Sequence, residues 1–326
     1  MKSLMNRRAL LIGINDYQKY HQLVGCVADA KELCKLIAEN EDGSPNYSCR
    51  LLTSEDPVPV TRASLRTACR NLFRDFSGEV LFYFSGHGSS CDTGDYLVTQ
   101  DGTKDEPGLR MNELLDMATL SHVSEGLIIL DCCYAGSIGN QLGPFFPGAL
   151  VQTQLREGIT ILAASRPKQT AKEFNGHGLF TSLVIGALSG GSADVRGRVS
   201  AASIYGYVEQ ALGPWDQRPL YKSYATALSP IRYCNPIVPD ELLRKLPQFF
   251  KSPNKHYRLN PRYEVTHPRA DESKVAIFNI FKLYRNAGLL RTVEGDDLFN
   301  TAMNSNFVEL TPLGQFYRLL VLKQVI

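Results

Sequence analysis

Short apolar runs alternate along the first two thirds of the chain with segments whose apolar residues recur every three or four positions. "RALLIGI" (8–14), "CRLLT" (49–53), "EVLFYFSG" (79–86), "GLIILD" (126–131) and "ITILAAS" (159–165) are rich in Leu, Ile and Phe and close on Gly, Asp, Ser or Thr. Apolarity that is continuous rather than alternating predicts strands buried on both faces. Between them, "VADAKELCKLIAEN" (27–40), "TRASLRTACRNLFRDF" (61–76) and "RMNELLDMATL" (110–120) predict amphipathic helices, the second capped by Thr61. Two more helices are predicted at "LFTSLVIGALSG" (179–190) and "SAASIYGYVEQAL" (200–212). Strands and helices in alternation imply right-handed crossovers and an α/β fold, a mostly parallel sheet flanked by helices on both faces.

Beyond Cys234 this pattern lapses. "NPIVPDELLRKLPQFFKSPNKHYRLNPRYEVTHPRADES" holds six prolines and little periodicity, as a linker or wrapping segment does. "SKVAIFNIFKLYRNAGLL" then predicts a helix, and "FVELTPLGQFYRLLVLKQVI" a strand, a turn and a closing helix. The expected organisation is a first domain over 1–235 and, over 236–326, a linker followed by a small helical or winged-helix-like module.

Composition narrows the partners. The 326 residues are 44% hydrophobic, enough for one sizeable core and a smaller module. A formal net charge of +2 sets up no field that would draw nucleic acid or acidic lipid. Residues 236–326 carry 13 Lys and Arg against 9 Asp and Glu, too small an excess to favour DNA. No window approaches the ~18 apolar residues of a membrane span, and the apolar run in "MKSLMNRRALLIGIND" is short for a signal peptide. The eight cysteines lack zinc-site spacing. Free thiols in a chain of this length point to a reducing compartment, and the expected location is cytoplasmic.

Two strand ends carry unusual chemistry. The third predicted strand closes in "FYFSGHGSS", which sets His87 between glycines, and the fourth in "ILDCCYAG", a pair of adjacent cysteines after an aspartate. In an open parallel sheet reactive groups collect at the carboxyl ends of strands. Neighbouring strands lie about 4.8 Å apart, so an imidazole and a thiol on adjacent strand ends can meet. A thiol with a pKa near ~8.5 needs such a base to become a nucleophile. The N–H groups of Gly88 and of the nucleophile are candidates for an oxyanion hole, since Gly88 has no Cβ to obstruct the approach. On this ground alone either Cys132 or Cys133 fits.

"FYFSGHG" followed about 40 residues later by "LIILDCCYAG" resembles the caspase clan of cysteine peptidases, in its metacaspase and bacterial caspase-like branch. The resemblance runs over roughly residues 7–233, through "LVGCVADAKEL", "ITILAASRPKQTAKEFNGHGLFTSLVIGALSG" and "QRPLY"; the animal-caspase Gln-Ala-Cys-Arg-Gly is absent. It implies a caspase-like fold and a His–Cys dyad. The family's Asp-Ser-Cys-His-Ser-Gly, laid on Asp131–Gly136, makes Cys133 the nucleophile, puts Cys132 in the place of serine and replaces the family's histidine with Tyr134. It further implies an acidic pocket of Cys26, Asp29, Ser85 and Asp131 for an Arg or Lys before the scissile bond. Two carboxylates in a partly dry site favour a guanidinium. Some metacaspases bind calcium near the loop that here holds Asp92, Asp95, Asp101, Asp105 and Glu106. Ca2+ needs six to eight converging oxygens, and most acidic loops are simply solvated. No other cofactor is expected.

Other features have plainer readings. Cys34, Cys49 and Cys69 are expected in the core, and Cys132 opposite in direction to Cys133 by strand alternation. His177, in a second Gly-His-Gly, follows no predicted strand and reads as a loop or cap residue. Arg156, Arg196 and Arg198 sit in predicted connections where a protease selecting basic residues would cut itself. Arg258 and Arg262, in a basic and aromatic stretch, are candidate contacts for a ligand or protein activator of a regulatory C-terminal module. The rival reading is a caspase-fold binding or assembly module without catalysis. Against it stand His87 and both cysteines, present together with their glycines and acids.

Overall fold

The computed structural model describes residues 6–132, 155–164, 173–174, 177–212, 219–225 and 229–326. They form two compact units, Met1–Ala193 with Arg198–Cys234, and Asp194–Gly197 with Asn235–Ile326.

The first unit begins with strand β1 (Arg7–Gly13), helix α1 (Cys26–Ala38), β2 (Ser48–Thr53), α2 (Arg62–Phe73) and β3 (Glu79–Ser85). Three short strands follow, β4 (Gly88–Cys91), β5 (Gly94–Val98) and β6 (Gly108–Arg110), then α3 (Met111–Thr119) and β7 (Glu125–Asp131). Next come β8 (Ile159–Ala163), the two-residue strands β9 (Glu173–Phe174) and β10 (His177–Gly178), α4 (Leu179–Gly186), β11 (Arg198–Val199), α5 (Ala201–Leu212), β12 (Leu220–Tyr224) and β13 (Arg232–Tyr233). The central sheet has six strands in the order β12-β8-β7-β3-β1-β2. Five run parallel and β12 pairs antiparallel with β8 at one edge.

Burial on both faces explains the unbroken apolar runs. In β3, Phe82 and Phe84 join a core with Leu65, Leu72 and Leu114 of α2 and α3. Leu81 and Tyr83 join the opposite core with Leu33 of α1, Val184 of α4 and Ile204 of α5. Thr61 caps α2 in a reciprocal box with Ser64, each side chain bonding the other's backbone N–H. At the end of β1, a Cβ on Gly13 would stand 2.3 Å from the Cys26 carbonyl oxygen. The start of α1 can pack there only against glycine.

The antiparallel β4-β5-β6 sheet and the edge strand β12 have no counterpart in the apolar pattern. Sequences such as "GSSC" in β4 are polar and half-exposed, and strands held by edge pairing leave little hydrophobic signature. Of the acidic residues near which some metacaspases bind calcium, only Asp95 lies in a strand of this sheet; Asp92, Asp101, Asp105 and Glu106 fall in its turns. Among the described residues no three His, Cys, Asp or Glu side chains converge to hold a metal ion. Asp101 instead accepts from the Thr99 hydroxyl (2.7 Å) and the Arg62 backbone N–H (3.0 Å), and the described residues do not fit a calcium site.

Of the thiols read as core, Cys69 is buried while Cys34 and Cys49 are only partly so. The last two face each other between α1 and β2. The hydrogen bond from Cys49 lowers the Cys34 thiol to about 7 and raises its partner.

The second unit corrects the sequence reading. The proline-rich stretch is not a linker. It forms α6 (Asp240–Leu243), α7 (Leu246–Phe249) and β14 (Tyr257–Arg258), and Leu243, Leu246, Phe250, Leu259 and Tyr263 sit in the same core as Phe278 and Phe281. After α8 (Glu272–Asn286) come β15 (Leu290–Thr292), α9 (Leu298–Met303), β16 (Phe307–Leu310) and α10 (Pro312–Leu322). The strands pair antiparallel in the order β14-β16-β15. The helix predicted as far as Leu290 stops at Asn286, where the chain turns through Gly288 at φ 70°, a left-handed helix end. Arg196, expected in an exposed loop, is half-buried and forked onto Asp240 through Nε and Nη2 (2.9 and 2.7 Å). Arg156 is likewise half-buried, its Nη2 on the Val123 carbonyl. Both are poor sites for self-cleavage.

Candidate active site

The carboxyl ends of β1, β3 and β7 form one rim, with Gly13 paired to Ser85 and Ser85 to Asp131. Strand alternation then sorts the side chains. Ser85 lies on the same face as Tyr83, the side covered by α1 and α4, while Cys132 is fully buried in the opposite core with Phe84 and Leu130. Cys133 lies outside the described residues.

Two carboxylates lie on the α1/α4 side. Asp29, in the first turn of α1, is 1% exposed and accepts from the Ser85 hydroxyl (3.4 Å) and the Gly178 backbone N–H (3.3 Å). Asp131 is 2% exposed and accepts from the Thr181 hydroxyl at 2.7 Å. Thr181 is in turn 2.7 Å from the Tyr83 hydroxyl. Cys26, half-buried, begins α1 three residues before Asp29. Of the residues read from sequence as a pocket, the fold thus brings Asp29, Ser85 and Asp131 to one rim and sets Cys26 at the foot of the same helix. The N-cap and first turn of α4 deliver Gly178 and Thr181, and a helix N-terminus favours anions nearby.

His87 follows Ser85 across a turn tied to the next strand by the Gly86 N–H on the Asp131 carbonyl (3.3 Å). The loop between β1 and α1 clasps it from three sides. The His87 backbone N–H donates to the Tyr17 hydroxyl (2.8 Å), and its Nε2 lies 2.8 Å from the His21 carbonyl oxygen. The rings of Tyr17 and His21 pack on the imidazole at 4.8 and 4.2 Å between centroids. A carbonyl only accepts, so Nε2 carries the proton in this bond and Nδ1 is left as the basic nitrogen. Burial pushes the His87 pKa below its ordinary value. The bond to the His21 carbonyl opposes this and the neighbouring His21 imidazole adds to it. The imidazole is therefore neutral at pH 7. Because Val98 N–H bonds the His87 carbonyl (3.0 Å), Gly88 and Leu97 are a non-hydrogen-bonded pair, and the Gly88 N–H points out of the ladder.

Tyr17 also explains a glycine of the motif: a Cβ on Gly86 would lie 2.5 Å from its hydroxyl. Removing that hydroxyl in Tyr17→Phe strands the buried His87 N–H. The expected loss is about 1–3 kcal/mol of stability, read from urea unfolding of the variant against the parent.

Tyr17, His21, Tyr83, Gly178 and Thr181 are site residues that the strand-end motifs do not reveal. The second Gly-His-Gly is also corrected. The backbone of His177 and Gly178 forms β10, paired with β9, and the Gly178 amide reaches Asp29. This stretch serves the site through its backbone.

Residues 6–228 match the Caspase domain family. The chain belongs to that family, a family of cysteine peptidases. Among curated relatives, metacaspase-3 of Arabidopsis thaliana is 33% identical over 133 residues, 38% of this chain and 33% of the relative. Metacaspase-1A of Aspergillus oryzae is 30% identical over 148 residues, 40% of this chain and 35% of that one. Metacaspase-2 of Trypanosoma brucei brucei is 31% identical over 147 residues, 40% and 42% of the two chains. The chain thus spans between a third and about two fifths of the length of these relatives. A solved structure, caspase-1 from Spodoptera frugiperda, aligns over 71% of this chain and 94% of its own, with a TM-score of 0.49 and 12% identity.

Proposed function

We propose that the protein is a cysteine endopeptidase that cuts after Arg or Lys, with Cys133 as nucleophile and His87 as base. The observation that carries this reading is the pair of buried carboxylates, Asp29 and Asp131, on the rim from which His87 rises. A guanidinium or ammonium is the substrate group that such a pair favours.

In the proposed reaction His87 Nδ1 takes the Cys133 thiol proton, and the thiolate attacks the carbonyl carbon of the scissile bond. The oxyanion accepts from the N–H groups of Gly88 and Cys133. The His87 imidazolium then protonates the leaving amine, which departs and leaves a thioester. A water deprotonated by the same nitrogen opens the thioester, releasing the acid and restoring the thiol. The His21 carbonyl stabilises the imidazolium through Nε2–H in both halves.

Residues 236–326 are proposed to regulate this activity in response to a ligand or protein activator, since they hold a hydrophobic core of their own. Within them Arg262 is occupied by Asp271 (3.0 Å) and the Arg269 carbonyl. Arg258 rests on the Ser305 carbonyl and over the Phe307 ring, and is the better candidate contact. A cytoplasmic setting is proposed on the strength of the free thiols.

The test is a set of fluorogenic peptides that differ only in the residue before the bond, assayed with and without calcium. Turnover of the Arg and Lys peptides and not of the Asp or citrulline ones is expected. Efficient cleavage after Asp overturns the pocket assignment. A protein inert on every peptide at every calcium level overturns the activity.

A further inference from the structure

A carboxylate that is almost wholly buried needs hydrogen-bond donors, and two such groups, Asp29 and Asp131, lie on this rim. The short segment at the start of α4 supplies a donor to each: the Gly178 amide to Asp29 and the Thr181 hydroxyl to Asp131. The two are not held alike. The Asp29 contacts with Ser85 and Gly178 are 3.4 and 3.3 Å, whereas the Thr181 bond to Asp131 is 2.7 Å.

The direction of that bond follows from counting hydrogens. A threonine hydroxyl has one proton. Spent on the carboxylate, it leaves the oxygen to accept from the Tyr83 hydroxyl 2.7 Å away. Tyr83 is fully buried, and burial together with the nearby Asp131 and Asp29 charges raises its phenol pKa far above the ordinary value. It therefore remains a donor at every working pH. Tyr83 O–H to Thr181 O–H to Asp131 is a one-way relay, anchored in the middle strand of the sheet and closed by α4.

We propose that Thr181 is a specificity-determining positioning residue: through the relay from Tyr83 it aims the Asp131 carboxylate into the pocket that selects a cationic side chain. This rests on the Arg/Lys reading above. Thr181 occupies the third position of a helix reading "LFTSLVIG" and is itself fully buried. A hydroxyl so placed is of no use to packing that valine could not supply. Its task is the orientation of one oxygen, and sub-ångström orientation is what converts a nearby charge into selectivity.

Thr181→Val keeps the shape and removes the hydroxyl. The readout is kcat/KM for an Arg peptide divided by kcat/KM for its citrulline twin, an uncharged near-isostere, measured on the full chain. Loss of one charge-assisted hydrogen bond is expected to lower this ratio by about tenfold. The loss falls on KM for the Arg peptide, with kcat within about twofold because the relay does not touch His87. Thr181→Ser, which retains the hydroxyl, is expected to keep the parental ratio within about twofold. Should Thr181→Val not fold, Tyr83→Phe acts from the other end of the relay and is expected to lower the ratio about threefold.

A residue of purely structural importance would reduce both peptides equally and act through kcat, and that result overturns the proposal. So does a parental ratio in Thr181→Val, or in Tyr83→Phe if the first variant does not fold. If the parent itself does not prefer Arg over citrulline, the Arg/Lys reading fails together with the proposal. If the parent prefers Arg and the variants keep that preference, only the role of Thr181 fails.

Discussion

Alanine in place of either Cys133 or His87 is expected to reduce peptide turnover by at least about 10⁴-fold, and the double variant to be no worse than either single one, since the two act as a unit. Cys132→Ala is expected to behave differently. Its side chain lies in the core shared with Phe84 and Leu130, so the change costs about 1 kcal/mol of stability through the small void it leaves and spares most of the activity. Turnover that survives Cys133→Ala and disappears with Cys132→Ala would show the nucleophile to be one residue earlier. The Cys133→Ala protein also gives access to the base. Without a thiolate to pair with, the His87 imidazole should titrate below the ordinary ~6.5, because burial disfavours its charged form. A ring whose pKa is depressed is neutral above it and ready to accept a proton at pH 7. An NMR titration reading well above 6.5 in that variant would contradict the clasp by Tyr17 and His21.

The second large effect is expected at the paired acids. Asp29→Asn and Asp131→Asn preserve size and remove one charge each, leaving a bound guanidinium with half of its compensation in a site almost closed to water. Breaking a buried ion pair by removing one partner costs on the order of 3–5 kcal/mol, so kcat/KM for an Arg peptide should fall by about 10²- to 10⁴-fold. The citrulline peptide, which has no charge to lose, should change little. That contrast separates a pocket effect from a general loss of fold. Equal loss on both peptides would assign the two acids to the architecture of the rim and leave specificity elsewhere. The variants are also expected to differ from one another. Asp131 is bound at 2.7 Å by Thr181, and an amide there can turn its NH2 toward that hydroxyl and reverse the relay. Asp29 instead accepts from the Ser85 hydroxyl and the Gly178 N–H, and an amide NH2 turned toward that N–H would meet a donor.

The amino-acid sequence by itself determined the parts whose causes are local. Continuous apolar runs in β1, β3, β7 and β8 announced strands covered on both faces, and the 3.6-residue spacing of "VADAKELCKLIAEN" and "TRASLRTACRNLFRDF" announced the helices that cover them. His87, Cys132 and Cys133 stand out as candidates because strand ends concentrate chemistry and glycines flank the histidine. Asp29, Ser85 and Asp131 were visible through a family resemblance, and the Caspase domain match to residues 6–228 agrees with that resemblance at the level of the family. Tertiary structure alone decided the rest, since the interactions span long separations. Thr181 reaches Asp131 across 50 positions and Tyr83 across 98, and Gly178 reaches Asp29 across 149. Which residues meet over such intervals depends on strand order, β7-β3-β1 with α4 laid across it, and no periodicity in the chain encodes that order. The same holds for the proline-rich stretch after Cys234. Six prolines break every regular pattern, yet Leu243, Leu246 and Phe250 still find a core, because burial needs only apolar surface and a partner, while the motifs that can be read along a chain need regular backbone.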